Sequence, residues 1–328
     1  MRKASAFLTS AILTLLMFGC GVQTKTSGPS IPYPTPRFDG LDGVSDATGS
    51  TETSSTPSPQ PSASPQEASH RFLRTIGKGV LRAPSSIAAF NDYLLTCDDK
   101  HQDPIGNFSL AIRFGRDGNR QGDGYGPNGG RLSETSAVCT NGTIVYVADK
   151  VGVFGFYGSS ERMLNGGKAY LSGKVKDMVM TSTGLTVLGE REISFYSLAS
   201  VSPSVAIPSF LPLFPKVKAT GVGLGIDKDG KVYLATSNSI VRYEEGKATA
   251  TFSGFTDLRD VAADPRNGDL YALEGHKVLR LDAEGKTLES FGDFLDATSL
   301  SIDRDGCVYA CDRGKATIQA FEPCSPLE

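Results

Sequence analysis

Three tyrosines, Tyr233, Tyr271 and Tyr309, stand 38 residues apart from one another along the chain. Each follows a turn built on Asp or Asn and Gly (Asp229-Gly230, Asn267-Gly268, Asp305-Gly306) and precedes a polar turn and a second apolar run. The runs between the turns are short and alternate apolar with polar residues, which is the period of strands, not helices. A repeat near 40 residues made only of such strands marks the blades of an all-β propeller. That limits the architecture sharply and the function hardly at all, because propellers host many unrelated activities.

Laid over one another, the segments give six repeats. The clearest are 223–243, 260–281 and 298–321; fainter copies lie at 86–114, 136–156 and 177–196. Residues 71–328 shared among six repeats give about 43 residues each, the size of a four-stranded blade. The last repeat has three strands before the chain ends, while residues 71–77 form a lone strand ahead of the first. That strand is expected to close the sixth blade, leaving no open edge, so the propeller should be a monomer.

The ends follow a different logic. Arg2 and Lys3 precede an apolar stretch from Ala4 to Phe18, too short to span a bilayer, and Gly19-Cys20 follow. A small residue before Cys at that point resembles the bacterial lipobox. The resemblance implies that residues 1–19 are a lipoprotein signal peptide and that Cys20 is the lipidated residue; an ordinary secretory signal is the alternative. Gly21 and Val22, with no Asp after the Cys, point to the outer membrane or cell surface as the place of anchoring in the bacterial envelope. Residues 20–70 are rich in Ser, Thr, Pro and Gly and bury too little to offset the entropy of ordering, so they are expected as a disordered tether. A net charge of −3 with no basic stripe excludes nucleic acid as a natural partner, and the absence of Trp argues against a WD-type repeat.

The stretch Asp303-Arg304-Asp305-Gly306-Cys307-Val308-Tyr309-Ala310-Cys311-Asp312, with Ile318-Gln319-Ala320-Phe321 after it, resembles the NHL repeat. The likeness runs from Phe72 to Pro323 and is strongest in the last three repeats. It implies a six-bladed propeller whose relatives are mostly ligand- or protein-binding modules, with a minority of metal-dependent lyases and lactonases.

Candidate sites then fall at equivalent places. Asp98, Asp149, Glu274 and Asp312 end the second strand of repeats one, two, five and six, which are contiguous in a closed ring; Gly189 and Thr236 fill the place in the other two. Four acids at one end of the ring suit a basic partner or a cation, or else cap their own turns. His101 and His276 lie in the loops that follow and would serve a divalent metal in the lyase-like alternative, which needs three or more ligands near the axis. The binding reading requires no cofactor. Asp227-Lys228-Asp229-Gly230 and its counterpart at 303–306 lack the Glu that a calcium loop needs and read as hairpin turns. If the last two strands turn near Gly314, Cys307 comes within reach of Cys324, a candidate disulfide; Cys97 with Cys311 is the second choice. Residues 99–107 read as a long loop, residues 115–126 as a Gly-rich connection, and residues 203–215 as a hydrophobic cover or a partner-docking loop.

Overall fold

A computed structural model describes residues 70–323, apart from 104–105, 127–131, 182–183 and 200–208 and the side chains of 101–103, 106–108, 199 and 209. The signal sequence, Cys20, the tether up to residue 69 and Cys324 therefore lie outside the described residues.

The chain opens with β1 (Phe72–Ile76) and then runs through blades built in strand order from the axis outward. Blade 1 comprises β2 (Pro84–Phe90), β3 (Tyr93–Asp103), β4 (Gly106–Gly115) and β5 (Arg120–Tyr125). Blade 2 comprises β6 (Ala137–Thr140), β7 (Ile144–Ala148), β8 (Gly152–Tyr157) and β9 (Leu171–Ser172). Blade 3 has β10 (Val175–Met180), β11 (Gly184–Gly189), β12 (Glu192–Ala199), β13 (Ser209–Pro212) and β14 (Val217–Lys218), the last two both pairing with β12. Blade 4 holds β15 (Gly223–Ile226), β16 (Val232–Ala235), β17 (Ser239–Glu244) and β18 (Lys247–Ser253). Blade 5 holds β19 (Leu258–Ala263), β20 (Leu270–Glu274), β21 (Lys277–Leu281) and β22 (Thr287–Phe291). Blade 6 is β23 (Ala297–Ile302), β24 (Val308–Asp312) and β25 (Thr317–Phe321), with β1 paired antiparallel to β25 as its outer strand. The N-terminal strand thus closes the ring.

The turns explain the register. In Asp227-Lys228-Asp229-Gly230 the Asp227 Oδ1 accepts the N–H groups of Asp229 (2.9 Å) and Lys231 (3.0 Å), and Gly230 takes φ +82°. Asp303 repeats this with Asp305 and Cys307, and Gly306 takes φ +84°. The spaced tyrosines brace these turns: the hydroxyl of Tyr233 donates to Asp227 Oδ2 and that of Tyr309 to Asp303 Oδ2, both at 3.0 Å.

The apolar residues sort into six clusters, each at the junction of two neighbouring blades. Leu273 and Val278 of blade 5 meet Leu300 and Val308 of blade 6, and Tyr309 and Cys311 of blade 6 meet Leu94 and Ile112 of blade 1. Both faces of the inner strands of each blade are therefore buried, which accounts for near-continuous apolar runs such as β7, while outer strands such as β18 stay exposed.

Three expectations change. Much of 99–107 is strand, since β3 and β4 run on as a hairpin to Asp103 and Gly106. Residues 120–125 form β5, the outer strand of blade 1. Residues 209–212 form the outer strand of blade 3, and Phe210 lies edge-on to Tyr146, Tyr170 and Tyr196 at 5.6 to 5.9 Å. The register Val308↔Phe321 sets Cys307 opposite Glu322; Cys97 and Cys311 are both buried free thiols.

Candidate functional site

Of the four aligned acids, Asp98 lies within β3, Asp149 directly follows β7, and Glu274 and Asp312 end β20 and β24, each with its carboxylate turned onto backbone N–H groups. Asp98 accepts the N–H groups of Arg82 (3.1 Å) and Ala83 (2.7 Å). Asp149 accepts those of Ser133 (3.3 Å), Val151 (2.8 Å) and Gly152 (3.2 Å). Glu274 accepts the N–H (2.6 Å) and hydroxyl (3.1 Å) of Thr256. Asp312 accepts the N–H groups of Leu295, Asp296 and Lys315 and the amide of Gln319. Each acid thus clamps the loop that leads into its own blade. Burial works to raise the Asp312 carboxyl, but the three N–H donors and the Lys315 ammonium outweigh it and hold the group below the usual carboxylate range.

His276 accompanies this clamp: its Nδ1 lies 2.8 Å from the carbonyl of Phe294. The backbone of His101 lies in β3, opposite Phe108, and its side chain is outside the described residues. Among the described residues no three His, Cys, Asp or Glu side chains converge as metal ligands.

The axis itself holds a cavity of about 470 Å3, walled by the six inner strands. One inner-strand position repeats around it: Ser86, Ala137, Asp177, Gly223, Asp260 and Ser299. The pairing shifts there in blades 1, 3, 5 and 6, tipping the side chain toward the next blade. Ser299 Oγ accepts Ile87 N–H and Ser86 Oγ accepts Val138 N–H, both at 3.2 Å. Ala137 and Gly223 have no oxygen to offer, and the blades after them carry aspartates. Asp177 accepts its neighbour's Met178 N–H (2.8 Å) with Oδ1 and Leu224 N–H of the next blade (2.6 Å) with Oδ2. Asp260 does the same with Val261 (2.8 Å) and Leu300 (2.7 Å), and also receives the Ser299 hydroxyl at 2.9 Å. Four side chains thereby satisfy six inward N–H groups. Gly223 is needed for this, since a Cβ there would lie 2.2 Å from Asp260 Oδ1. Desolvation pushes the Asp260 carboxyl well up, and the nearby Asp177 adds to it. Asp177, half-buried at the cavity wall, is likewise pushed up by desolvation, to about 7.

A second ring runs beside the first. The preceding residue donates to a carbonyl of the next blade: Ser85 to Thr135, Ser136 to Val175, Lys176 to Gly221, Arg259 to Ala297 and Thr298 to Pro84, at 2.6 to 3.0 Å. Blade 4 breaks the pattern with Val222, whose side chain cannot donate and is 42% exposed. Neither ring emerges from the sequence read strand by strand. The visible signal was the recurrence of Ser or Asp at one register position, with the aspartates falling only after Ala137 and Gly223.

Neither known protein families nor curated proteins yield a match to this chain. Among solved structures, it is similar to the WD40 β-propeller domain of Doa1, with a TM-score of 0.51 and 12% identity over 80% of this chain and 98% of that one. At that identity the likeness establishes the propeller fold alone.

Proposed function

We propose that this chain is a binding module of the bacterial envelope. In this reading it is lipidated at Cys20, carried on the tether of residues 21–69, and presents to a partner protein the end of an NHL-like propeller where the second strands finish. Propellers commonly serve as protein-binding scaffolds.

The observation that carries the choice of surface is Val222. Five blades place a hydrogen-bond donor to the next blade at this position, and blade 4 gives up that bond for an exposed apolar side chain. Two more exposed apolar residues stand at the same end, Val151 (54%) and Leu295 (61%). Their backbone N–H groups are the ones held by Asp149 and Asp312. Asp149 and Asp312 thus fix two of the three apolar contact points, which reduces the entropy lost on binding. The three points belong to alternate blades, so the partner spans the mouth of the axial cavity instead of filling one groove.

Val151→Asp and Leu295→Asp should leave the melting temperature within about 1 °C of wild type, as expected for exposed positions. They should reduce co-purification of the partner from envelopes at least about tenfold. Unchanged co-purification with both would refute the surface. Cys20→Ser should move the protein from the membrane to the soluble fraction; retention in the membrane would refute the anchor.

A further inference from the structure

His70 belongs to the propeller, not to the tether where composition places it. Its ring is fully buried, stacked on Phe291 with centroids 4.3 Å apart and planes at 8°, and edge-on to Tyr271 at 5.3 Å. Its Nδ1 lies 2.8 Å from Glu289 Oε2, and its backbone N–H donates to Glu289 Oε1 at 2.6 Å. Its Nε2 lies 3.2 Å from the Tyr271 hydroxyl. A carboxylate at Glu289 makes Nδ1 the protonated nitrogen, so Nε2 accepts from Tyr271.

Tyr271 is the middle one of the three spaced tyrosines, and it departs from their pattern. Tyr233 and Tyr309 donate to the Asp of their own turn. In blade 5 that Asp, Asp264, is held by the Arg266 guanidinium at 2.7 to 3.2 Å. Tyr271 is thereby directed to His70. Two residues later the chain enters β1, which closes blade 6. The last residue of the tether side is thus fastened to blade 5, while the next segment pairs with blade 6.

We propose that His70 is an acid-sensitive latch: docked on Glu289, Tyr271 and Phe291 as a neutral imidazole, it holds β1 in place, and protonation loosens the ring where the tether enters it.

Adding a proton at Nε2 removes the acceptor that the Tyr271 hydroxyl uses and places a charge on a ring shut off from water, a desolvation cost that the Glu289 carboxylate and the Phe291 face offset only in part. The groups facing His70 act in both directions. Desolvation lowers its pKa most; the Glu289 contact opposes this, the Arg280 charge adds to the lowering, and Asp264 opposes it weakly. Arg280 is itself paired with Asp269 at 2.7 Å, and Asp264 with Arg266. The net shift is downward. A lowered value in the fold means that the contribution is whole above the unfolded value of about 6.5 and is lost as pH falls through the folded value.

The test is hydrogen exchange of the mature full-length chain near pH 7.5 and near pH 5, corrected for intrinsic rates, following residues 71–77 and 317–322. We expect protection of both segments to fall at least about tenfold more on acidification than protection of β16 in blade 4. His70→Phe, which keeps the stack and cannot titrate, should abolish the difference, and Glu289→Gln should shrink it. An equal response in wild type and His70→Phe overturns the latch. If His70→Phe does not fold, Tyr271→Phe replaces it: the pH response should shrink, and an unchanged response again overturns the proposal.

Discussion

Gly223 and Asp260 offer the sharpest test of how the ring is held together. Asp260 is buried and receives two N–H groups and one hydroxyl. Asp260→Ala leaves all three donors beside the axial cavity. An unmet buried donor costs about 1–3 kcal/mol, and water from the cavity can reach some of them, so we expect a loss of about 2–4 kcal/mol. For a domain of this size that lowers the melting temperature by about 5–12 °C. Asp260→Ser keeps an oxygen for Leu300 N–H, as Ser299 does for Ile87, and abandons Val261 N–H, for a loss of about 1–2 kcal/mol. Gly223→Ser alone drives its Cβ into Asp260 and should cost about 1–3 kcal/mol or more. Together the two should compensate. The new hydroxyl at position 223 takes Val261 N–H in the way Ser86 takes Val138 N–H, and the shorter side chain at 260 removes the closest clash. Recovery is partial, because the Cα of Asp260 would still lie 2.8 Å from the added Cβ. Chemical denaturation of the four proteins should give a favourable coupling of at least about 1.5 kcal/mol. Additive losses, within about 0.5 kcal/mol, would refute the reasoning.

Other outcomes follow from the same structure. Val222→Thr restores a donor to the second ring and should raise stability by about 0.5–1.5 kcal/mol in denaturant titrations while weakening partner capture. Asp312→Ala frees three N–H groups and should cost about 2–4 kcal/mol, with exchange increases centred on Leu295, Asp296 and Lys315. The raised folded value of Asp177 means its contribution is whole below the unfolded value of about 3.9 and is lost as pH rises through about 7. Relative to wild type, Asp177→Asn should therefore gain stability between about pH 4 and pH 7; an unchanged difference across that range would contradict the shift. Deleting residues 71–77 uncovers the edge of β25 and should yield an unstable or oligomeric domain by light scattering.

The fold was legible because period and turn chemistry survive in the sequence without any packing information. The spacing of the tyrosines, the Asp-x-Asp-Gly turns and the unpaired strand at residues 72–76 were enough to number the blades and close the ring. The site was less legible, for a directional reason. Alignment set Asp98, Asp149, Glu274 and Asp312 at one repeat position, but a position along a strand does not say whether a carboxylate points to solvent or back onto the preceding loop. The register shifts in the inner strands decide how Asp177 and Asp260 point, and a shift of that kind leaves no mark in an apolar run. Composition carries the tether through His70 because the residues before it are small, polar or Pro; its partners lie about 200 residues downstream, beyond the reach of local composition.

The most direct test of the binding surface is photocrosslinking in intact cells from a reactive residue placed at Val151, Val222 or Leu295, with the exposed Leu288 on an outer strand as a control. A shared adduct from the three positions and none from Leu288 is the predicted result. Adducts absent from all three, or the same adduct from Leu288, would contradict the assignment of this end of the propeller as the partner surface.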